Sequence, residues 1–209
     1  VLTVAVGLGL GVLAALRVGT PVDAGAMAVA HAGMAVPNFW LGLLLILLFS
    51  VRLDWLPAGG FAGWDAGAVA ALAGLILPAL ALAASQAAIL ARVSRAAVLD
   101  VVRDDFVRTA RAKGLGRSAA VLRHALRNAM VPIAALMGLQ FAYLVAGAVI
   151  VENVFSLPGL GRFVFQSIAN RDLIVVESIV FLLAAFVLLV SFVADVIAHA
   201  LDPRLGDAR

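Results

Sequence analysis

Long apolar runs alternate along the chain with short segments that carry its charge. A helix that spans a bilayer needs roughly 20 mostly apolar residues. Three of the runs that lack Asp, Glu, Lys and Arg are long enough for such a helix. A fourth run reaches the same length if it starts near Leu173 and includes Glu177. The first run, at residues 1–16, is shorter, and we expect its helix to begin upstream of Val1. The predicted membrane spans lie at about residues 1–16, 27–51, 68–91, 130–151 and 173–197.

Composition favours a membrane protein over a soluble one. Hydrophobic residues make up 65% of the chain, and charged residues 13%, where a soluble domain has about 25%. The chain contains no cysteine, which excludes disulfides and thiolate metal sites. The predicted fold is all-α, a polytopic membrane helix bundle that forms a single transmembrane domain over residues 1–209.

The distribution of Lys and Arg predicts the orientation of the chain. One side of the five predicted spans holds Arg17, nine basic residues in the segment 92–128 and two in the tail after His199, which makes twelve. The other side holds three. Because basic loops stay in the cytoplasm, the first side is predicted to be cytoplasmic, with the C-terminus inside.

Small residues in the predicted spans indicate close helix packing. The stretch "GLGLG" at residues 7–11 has two of the glycines of a nucleotide fingerprint, but no strand precedes it and its second spacing is wrong. Packing of glycine against a neighbouring helix is the better interpretation. Pro37 and Pro78 fall inside predicted spans, where each frees a backbone carbonyl and favours a kink.

The segment 92–128, called the basic segment below, has the pattern of two helices joined by a glycine turn. Leu99, Val102, Phe106 and Ala110 recur at helical spacing as a continuation of the third span. Gly114 then supplies a C-cap, and Ser118 can cap a second helix with an apolar stripe at positions 122, 126 and 130. The segment is either a plain topology signal or a short helix that docks in a groove on a partner.

Three stretches of the second half of the chain stand out as motifs. They are "RTARAKGLGRSAAVLRHALRNAMVPI" from Arg108, "GLQFAYLVAGAVIVENVFSLPGLGRFVFQSIANRD" from Gly138, and the terminal "LDPRLG". Together they resemble the inner-membrane permeases of binding-protein-dependent ABC importers, in the dipeptide, oligopeptide and nickel branch. The resemblance implies a type I ABC importer transmembrane fold in a bacterial or archaeal inner membrane, here truncated at its N-terminus. It also implies four kinds of partner: a second homologous permease subunit, two cytoplasmic ATPase subunits, an extracytoplasmic substrate-binding protein and the lipid bilayer.

In that family a cytoplasmic Glu-Ala-Ala…Gly motif forms the coupling helix that docks on the ATPase subunit. Thr109, Ala110, Arg111 and Gly114 stand where this motif would be, with Thr in place of Glu. Pro132 also lies farther from the glycine than in the general motif, as in the peptide branch. The resemblance therefore implies a coupling site made of Arg108, Thr109, Ala110, Arg111, Ala112, Lys113, Gly114, Leu115, Gly116 and Arg117.

A second candidate site follows the fourth predicted span on the outer side. Glu152 and Asn153 end that span, and Pro158, Gly159 and Gly161 are expected to prevent a regular helix after it. The resemblance favours an outer gate or a surface that contacts the binding protein. An ordinary solvated loop is the alternative.

The sequence lacks the motifs that are typical of ATP-binding, metalloprotease and serine-hydrolase sites. It has no Gly-x-x-x-x-Gly-Lys-Ser/Thr, no His-Glu-x-x-His and no Gly-x-Ser-x-Gly, and its three histidines are scattered. We therefore expect no catalytic residue, no metal and no cofactor, with ATP hydrolysis in a partner subunit. The alternatives are a membrane enzyme without a recognisable catalytic set, and a membrane anchor whose loop binds nucleic acid. The second is disfavoured because no aromatic residue lies between Val107 and Pro132 to stack on bases.

The charge asymmetry makes a testable prediction about topology. A reporter enzyme that is active only outside the cytoplasm should work when fused after Gly60 or Leu157, and should fail after Gly116 or Leu205. The measurement is reporter activity for each fusion, normalised to the amount of protein. Activity at Gly116 would show that the predicted orientation is wrong.

Overall fold

The computed structural model describes residues 1–201, apart from the side chains of residues 111, 117–118, 123–124, 195 and 197–201. The described chain consists of helices and their connections, without a strand, as the hydrophobic pattern predicts. The nine α-helices within residues 1–201 are α1 Leu2–Leu16, α2 Pro21–Ala35, α3 Asn38–Leu45, α4 Ala68–Val102, α5 Asp105–Ala112, α6 Arg117–Ala120, α7 Leu126–Val154, α8 Leu160–Ala169 and α9 Leu173–Leu201.

Three of the described helices are long and apolar enough to cross a membrane on their own. These are α4, α7 and the Leu173–Ala194 part of α9. A fourth span results if α2 and the helix Asn38–Arg52 are counted together as one broken span. The first helix has 15 residues and is shorter than a full span, so the count of five remains a prediction.

Prolines affect these helices differently according to their position. Pro37, with φ −62° and ψ 140°, separates α2 from α3, and the chain continues after α3 as a π-helical segment, Ile46–Arg52. The residue before a proline avoids the α-helical region, which accounts for a break there. Pro78 and Pro132 instead lie inside continuous helices, α4 and α7.

The chain forms two compact units, each assembled from separate stretches of sequence. The first contains residues 1–34, 86–140 and the described residues from Val190 onward. At its core, the second half of α4 packs against α1, the π-helical segment Val121–Ala125 and the first turns of α7. The largest fully buried side chains of this core are Leu90, Val98, Val121 and Ile133.

The second unit contains Ala35–Ser85 and Phe141–Leu189, and its core is centred on one aromatic side chain. Phe155 is 1% exposed and packs with Leu77, Ala81 and Val151. Its backbone oxygen accepts a hydrogen bond from the N–H of Gly60 at 2.7 Å, which holds the loop before α4 against the end of α7.

Two of the three glycines in "GLGLG" lie where α1 packs on α4. A Cβ added at Gly7 would lie 2.8 Å from the Cβ of Leu90, and one at Gly11 would lie 2.5 Å from the backbone oxygen of Ala91. At Gly9 no atom lies within 4 Å of such a Cβ. Close packing between helices therefore accounts for the stretch, as the sequence predicts.

We expect Gly11→Ala to destabilise the protein, because the added methyl group would overlap the backbone of α4. Overpacking of this kind costs about 1–3 kcal/mol of unfolding free energy. Gly9→Ala is the matched control, and should be neutral or slightly stabilising because alanine favours a helix over glycine. The measurement is the midpoint of thermal unfolding for each variant in the assembled, detergent-solubilised protein. Equal midpoints for the two variants would contradict the packing of α1 on α4.

Candidate functional site

The basic segment folds as helix, glycine turn and helix. α5 starts after a two-residue break at Arg103 and Asp104, where the backbone oxygen of Asp104 accepts hydrogen bonds from the N–H groups of Val107 and Arg108. Within α5, the hydroxyl of Thr109 donates to the backbone oxygen of Asp105 at 2.9 Å. This is the bond to the carbonyl four residues earlier that Ser and Thr commonly make inside a helix, and it gives the hydroxyl a partner within α5.

Gly114 forms the turn between the two helices. Its φ is +96°, in the left-handed region that glycine adopts without strain. Before it, the N–H of Lys113 donates to the oxygen of Thr109, and after it the N–H of Leu115 donates to the oxygen of Ala110. These bonds satisfy carbonyls at the end of α5, as a glycine C-cap does.

The second helix of the basic segment is not the regular helix capped by Ser118 that the sequence predicts. The backbone forms the short α6 from Arg117 and then the π-helical segment Val121–Ala125, which runs directly into α7. The side chains of Arg111, Arg117 and Ser118 lie outside the described part of the structure.

Burial in α5 corrects the apolar stripe predicted from the sequence. Val107 is 1% exposed and packs with Ala120, Ala125 and Leu115, whereas Phe106 is 41% exposed. The predicted stripe assumed one uninterrupted helix through Val102, but the break at residues 103–104 changes the helical phase. As a result Phe106 points outward and Val107 inward.

The outward surface of α5 and its turn combines one aromatic side chain with polar and cationic groups. Phe106, Arg108, Thr109 and Lys113 are all exposed, and Gly114 is exposed at the end of the helix. Arg108 contacts Asp105 at 3.2 Å, but both side chains are highly exposed and such surface pairs contribute little to stability. These groups are accessible to another molecule.

The outer candidate site contains a regular helix, contrary to the sequence-based expectation. α8 begins at Leu160 and includes Gly161. Glu152 makes this possible, because its Oε2 accepts hydrogen bonds from the N–H of Gly161 at 2.7 Å and of Arg162 at 3.3 Å. A carboxylate at a helix N-terminus satisfies free N–H groups and complements the helix dipole.

Glycine is needed where the chain passes this carboxylate. A Cβ at Gly159 would overlap the carboxylate of Glu152, and one at Gly161 would overlap the backbone of Val149. Asn153 and Pro158 are exposed and take no part in the cap. The structure thus brings together Glu152, Gly159 and Gly161 from the predicted set.

A partly buried ion pair links α2 to α4, and the sequence pattern does not indicate it. Asp23 is 5% exposed, and its two carboxylate oxygens accept hydrogen bonds from Arg95 Nε at 2.6 Å and Nη2 at 2.8 Å. The N–H of Gly19, which has φ +78°, donates to the same carboxylate at 3.0 Å. A bidentate pair of this kind fixes both distance and orientation.

Amide and hydroxyl groups also connect the apolar helices within each unit. In the first unit, Gln140 Nε2 donates to the backbone oxygen of Gln86 at 2.9 Å, and both side chains are buried. In the second, Ser85 Oγ donates to Asn38 Oδ1 at 2.9 Å. Hydrogen bonds of this kind add specificity to packing between membrane helices. Across the described residues, no three His, Cys, Asp or Glu side chains form a cluster that could hold a metal ion.

Comparison with proteins of known sequence reveals similarity over almost the entire chain. The di/tripeptide transport system permease protein DppB of Pseudomonas aeruginosa (strain UCBPP-PA14) is 41% identical over 97% of this chain. The glutathione transport system permease protein GsiC of Escherichia coli (strain K12) is also 41% identical, over 95% of it. The chain spans 66% of the length of the first relative and 62% of the second.

Comparison with solved structures shows the same fold at lower sequence identity. The inward-facing MetNI methionine ABC transporter contains a chain that matches with a TM-score of 0.74 and 21% identity. The match covers 96% of this chain and 88% of that chain. The chain therefore shares the fold of that transporter chain.

The family comparison covers both the basic segment and the outer helix. The model described as "Binding-protein-dependent transport system inner membrane component" matches residues 7–207. The chain therefore belongs to the family of inner-membrane components of binding-protein-dependent transport systems, the permeases of ABC importers.

Proposed function

We propose that this chain is the permease part of an ATP-driven importer for small peptides or chemically related solutes, which it moves inward by alternating access. The observation that carries the proposal is the 41% identity to permeases named for di/tripeptide and glutathione transport, over 95% or more of the chain. Glutathione is itself a small peptide, so both names indicate one class of solute.

The basic segment is the proposed site of coupling to the ATPase. Arg108–Arg117 would dock in a groove on an ATPase subunit, with α5 presenting Phe106 as an apolar anchor and Arg108 and Lys113 as cationic contacts. Aromatic and arginine side chains dominate the energetics of many interfaces. The buried side of α5 is equally important, because Val107 fixes the helix to the core of the first unit. A displacement of α5 would then be passed to that core.

The proposed partners follow from this coupling and from the family. They are two cytoplasmic ATPase subunits, a second homologous permease subunit and an extracytoplasmic substrate-binding protein. α9 supports a lipid or subunit contact, because its apolar side chains Phe181, Leu188 and Phe192 are each at least two-thirds exposed. The proposed orientation places the coupling segment and the C-terminus in the cytoplasm.

The outer segment is proposed to act as a gate or as a contact for the binding protein. Glu152 would serve this function indirectly, by fixing the start of α8, while exposed Asn153 and Pro158 would be free to touch a partner. A membrane enzyme is the alternative function, and no observation on the described residues favours it over transport.

We expect Gly114→Val to uncouple ATP hydrolysis from uptake, or to release the ATPase, without affecting membrane insertion. A β-branched residue at φ +96° is strained by about 1–2 kcal/mol, so the turn would shift relative to the ATPase groove. Gly67→Val is the matched control. Gly67 also has φ +96° with no atom within 4 Å of an added Cβ, but it lies outside the basic segment.

The measurement is ATPase co-purification and peptide uptake for both variants, made in the full-length protein with its partner subunits. Loss of coupling in Gly114→Val, with coupling retained in Gly67→Val, is the expected result. If Gly114→Val assembles and transports like the parent, the basic segment is not the coupling site and acts only as a topology signal.

A further inference from the structure

An open cavity of about 580 Å³ lies within the first unit, between the start of α2 and the second half of α4. Its apolar lining includes Ala24 and Met27 of α2. Its charged lining comes from Asp23 on α2 and from Arg92 and Arg95 on α4. Neither the family assignment nor the proposed coupling segment accounts for this cavity.

The two arginines of the cavity present an excess of positive charge. They are three residues apart on α4 and therefore lie on the same face, where like charges repel. The carboxylate of Asp23 offsets the charge of Arg95 alone, by accepting hydrogen bonds from Nε and Nη2 of that arginine. Among the residues that the structure describes, neither Nη1 of Arg95 nor the guanidinium of exposed Arg92 has a hydrogen-bond or ion-pair partner. The charged lining therefore carries a net positive charge, which a bound anion would offset.

His31 also lines the cavity but is a weaker candidate for binding an anion. Its Nδ1 lies 2.6 Å from the backbone oxygen of Met27, which can only accept, so Nδ1 carries the hydrogen. The other ring nitrogen then donates to an anion only when the imidazole is protonated. The guanidinium groups are therefore the main ligands, since they bind phosphate through paired N–H groups and stay charged.

The position of the cavity along the chain indicates where such an anion would come from. Arg92 directly follows the charge-free run 66–91, while Met27 and His31 lie within the charge-free run 24–51. We therefore expect the cavity to lie at the boundary between hydrocarbon and lipid headgroups. Exposed Val22 and Val29 on α2 provide an apolar surface for acyl chains nearby. Basic pockets between membrane helices bind anionic headgroups in other proteins.

We infer that this cavity binds the phosphate of an anionic phospholipid, held by the guanidinium of Arg92 and by Nη1 of Arg95. Asp23 is a positioning residue in this site, because its bidentate pair with Arg95 turns Nη1 away from the carboxylate. The proposed orientation assigns the lipid to the inner leaflet. Binding itself depends neither on that orientation nor on the proposed transport function.

The test measures lipid retention by the complete transporter, reconstituted in phosphatidylcholine containing a minor fraction of phosphatidylglycerol. After extraction in detergent, native mass spectrometry counts the phosphatidylglycerol that remains bound. Arg92→Gln should lower this retention about tenfold, which is the loss expected for one charge-assisted contact. Arg103→Gln is the matched control, because Arg103 is an exposed cation just past the end of α4 and does not line the cavity.

Arg92 is the residue to replace because it is exposed and its loss should leave folding intact. Removing Arg95 instead would leave the buried carboxylate of Asp23 without its partner. Three results would overturn the inference. They are undiminished retention in Arg92→Gln, equal retention of phosphatidylcholine by the parent, and full displacement of phosphatidylglycerol by added inorganic phosphate, which would indicate a site for free phosphate.

Discussion

The length of α4 constrains where the other parts of the chain can lie. A helix of 35 residues is about 52 Å long, whereas the hydrocarbon layer of a bilayer is about 30 Å thick. The charge-free part of α4 ends at Ala91, so the remainder must leave the hydrocarbon. It carries Arg92 and Arg95 to the level of the headgroups and starts α5 beyond them. We therefore expect the basic segment to lie outside the membrane, at the end of the helix that precedes it.

Contacts near the end of α4 join the buried side of α5 to a packed core. Val107 of α5 contacts a cluster that includes Val101 and Val102 of α4, and the pair of Asp23 with Arg95 fixes α2 to the same stretch of helix. Close-packed interiors have low compressibility and transmit strain. A partner that moved α5 would thus act on α2 and α4 together, which is the mechanical property that a coupling site needs. The same ion pair orients Arg95 toward the inferred lipid site.

Much of this architecture could be predicted from the sequence, because helices in a bilayer leave strong local signals. The apolar runs predicted the long helices, and Gly114 predicted a left-handed turn that has φ +96° in the structure. The failures have physical causes. A two-residue break at positions 103–104 reversed the burial of Phe106 and Val107, since periodicity carries no information across a change of phase.

Long-range polar contacts were the other features that the sequence did not reveal. Asp23 and Arg95 are separated by 72 residues, and no local pattern connects them. At the outer site, Pro158 and the glycines suggested an irregular chain. The carboxylate of Glu152, nine residues before Gly161, instead satisfies the first N–H groups of α8 and allows a helix there. In each case a side chain from another segment determined the local structure.

We expect α5 and its turn to dock on an ATPase subunit, and photo-crosslinking can detect this contact. The chain has no cysteine, so single cysteines can be introduced at exposed Thr109 or Lys113 and labelled with a benzophenone maleimide in the assembled transporter. A cysteine at exposed Asp65, near the start of α4, is the control. We expect ATPase adducts from positions 109 and 113 and none from position 65. Labelled, transport-competent complexes that give no ATPase adduct from positions 109 and 113 would contradict it.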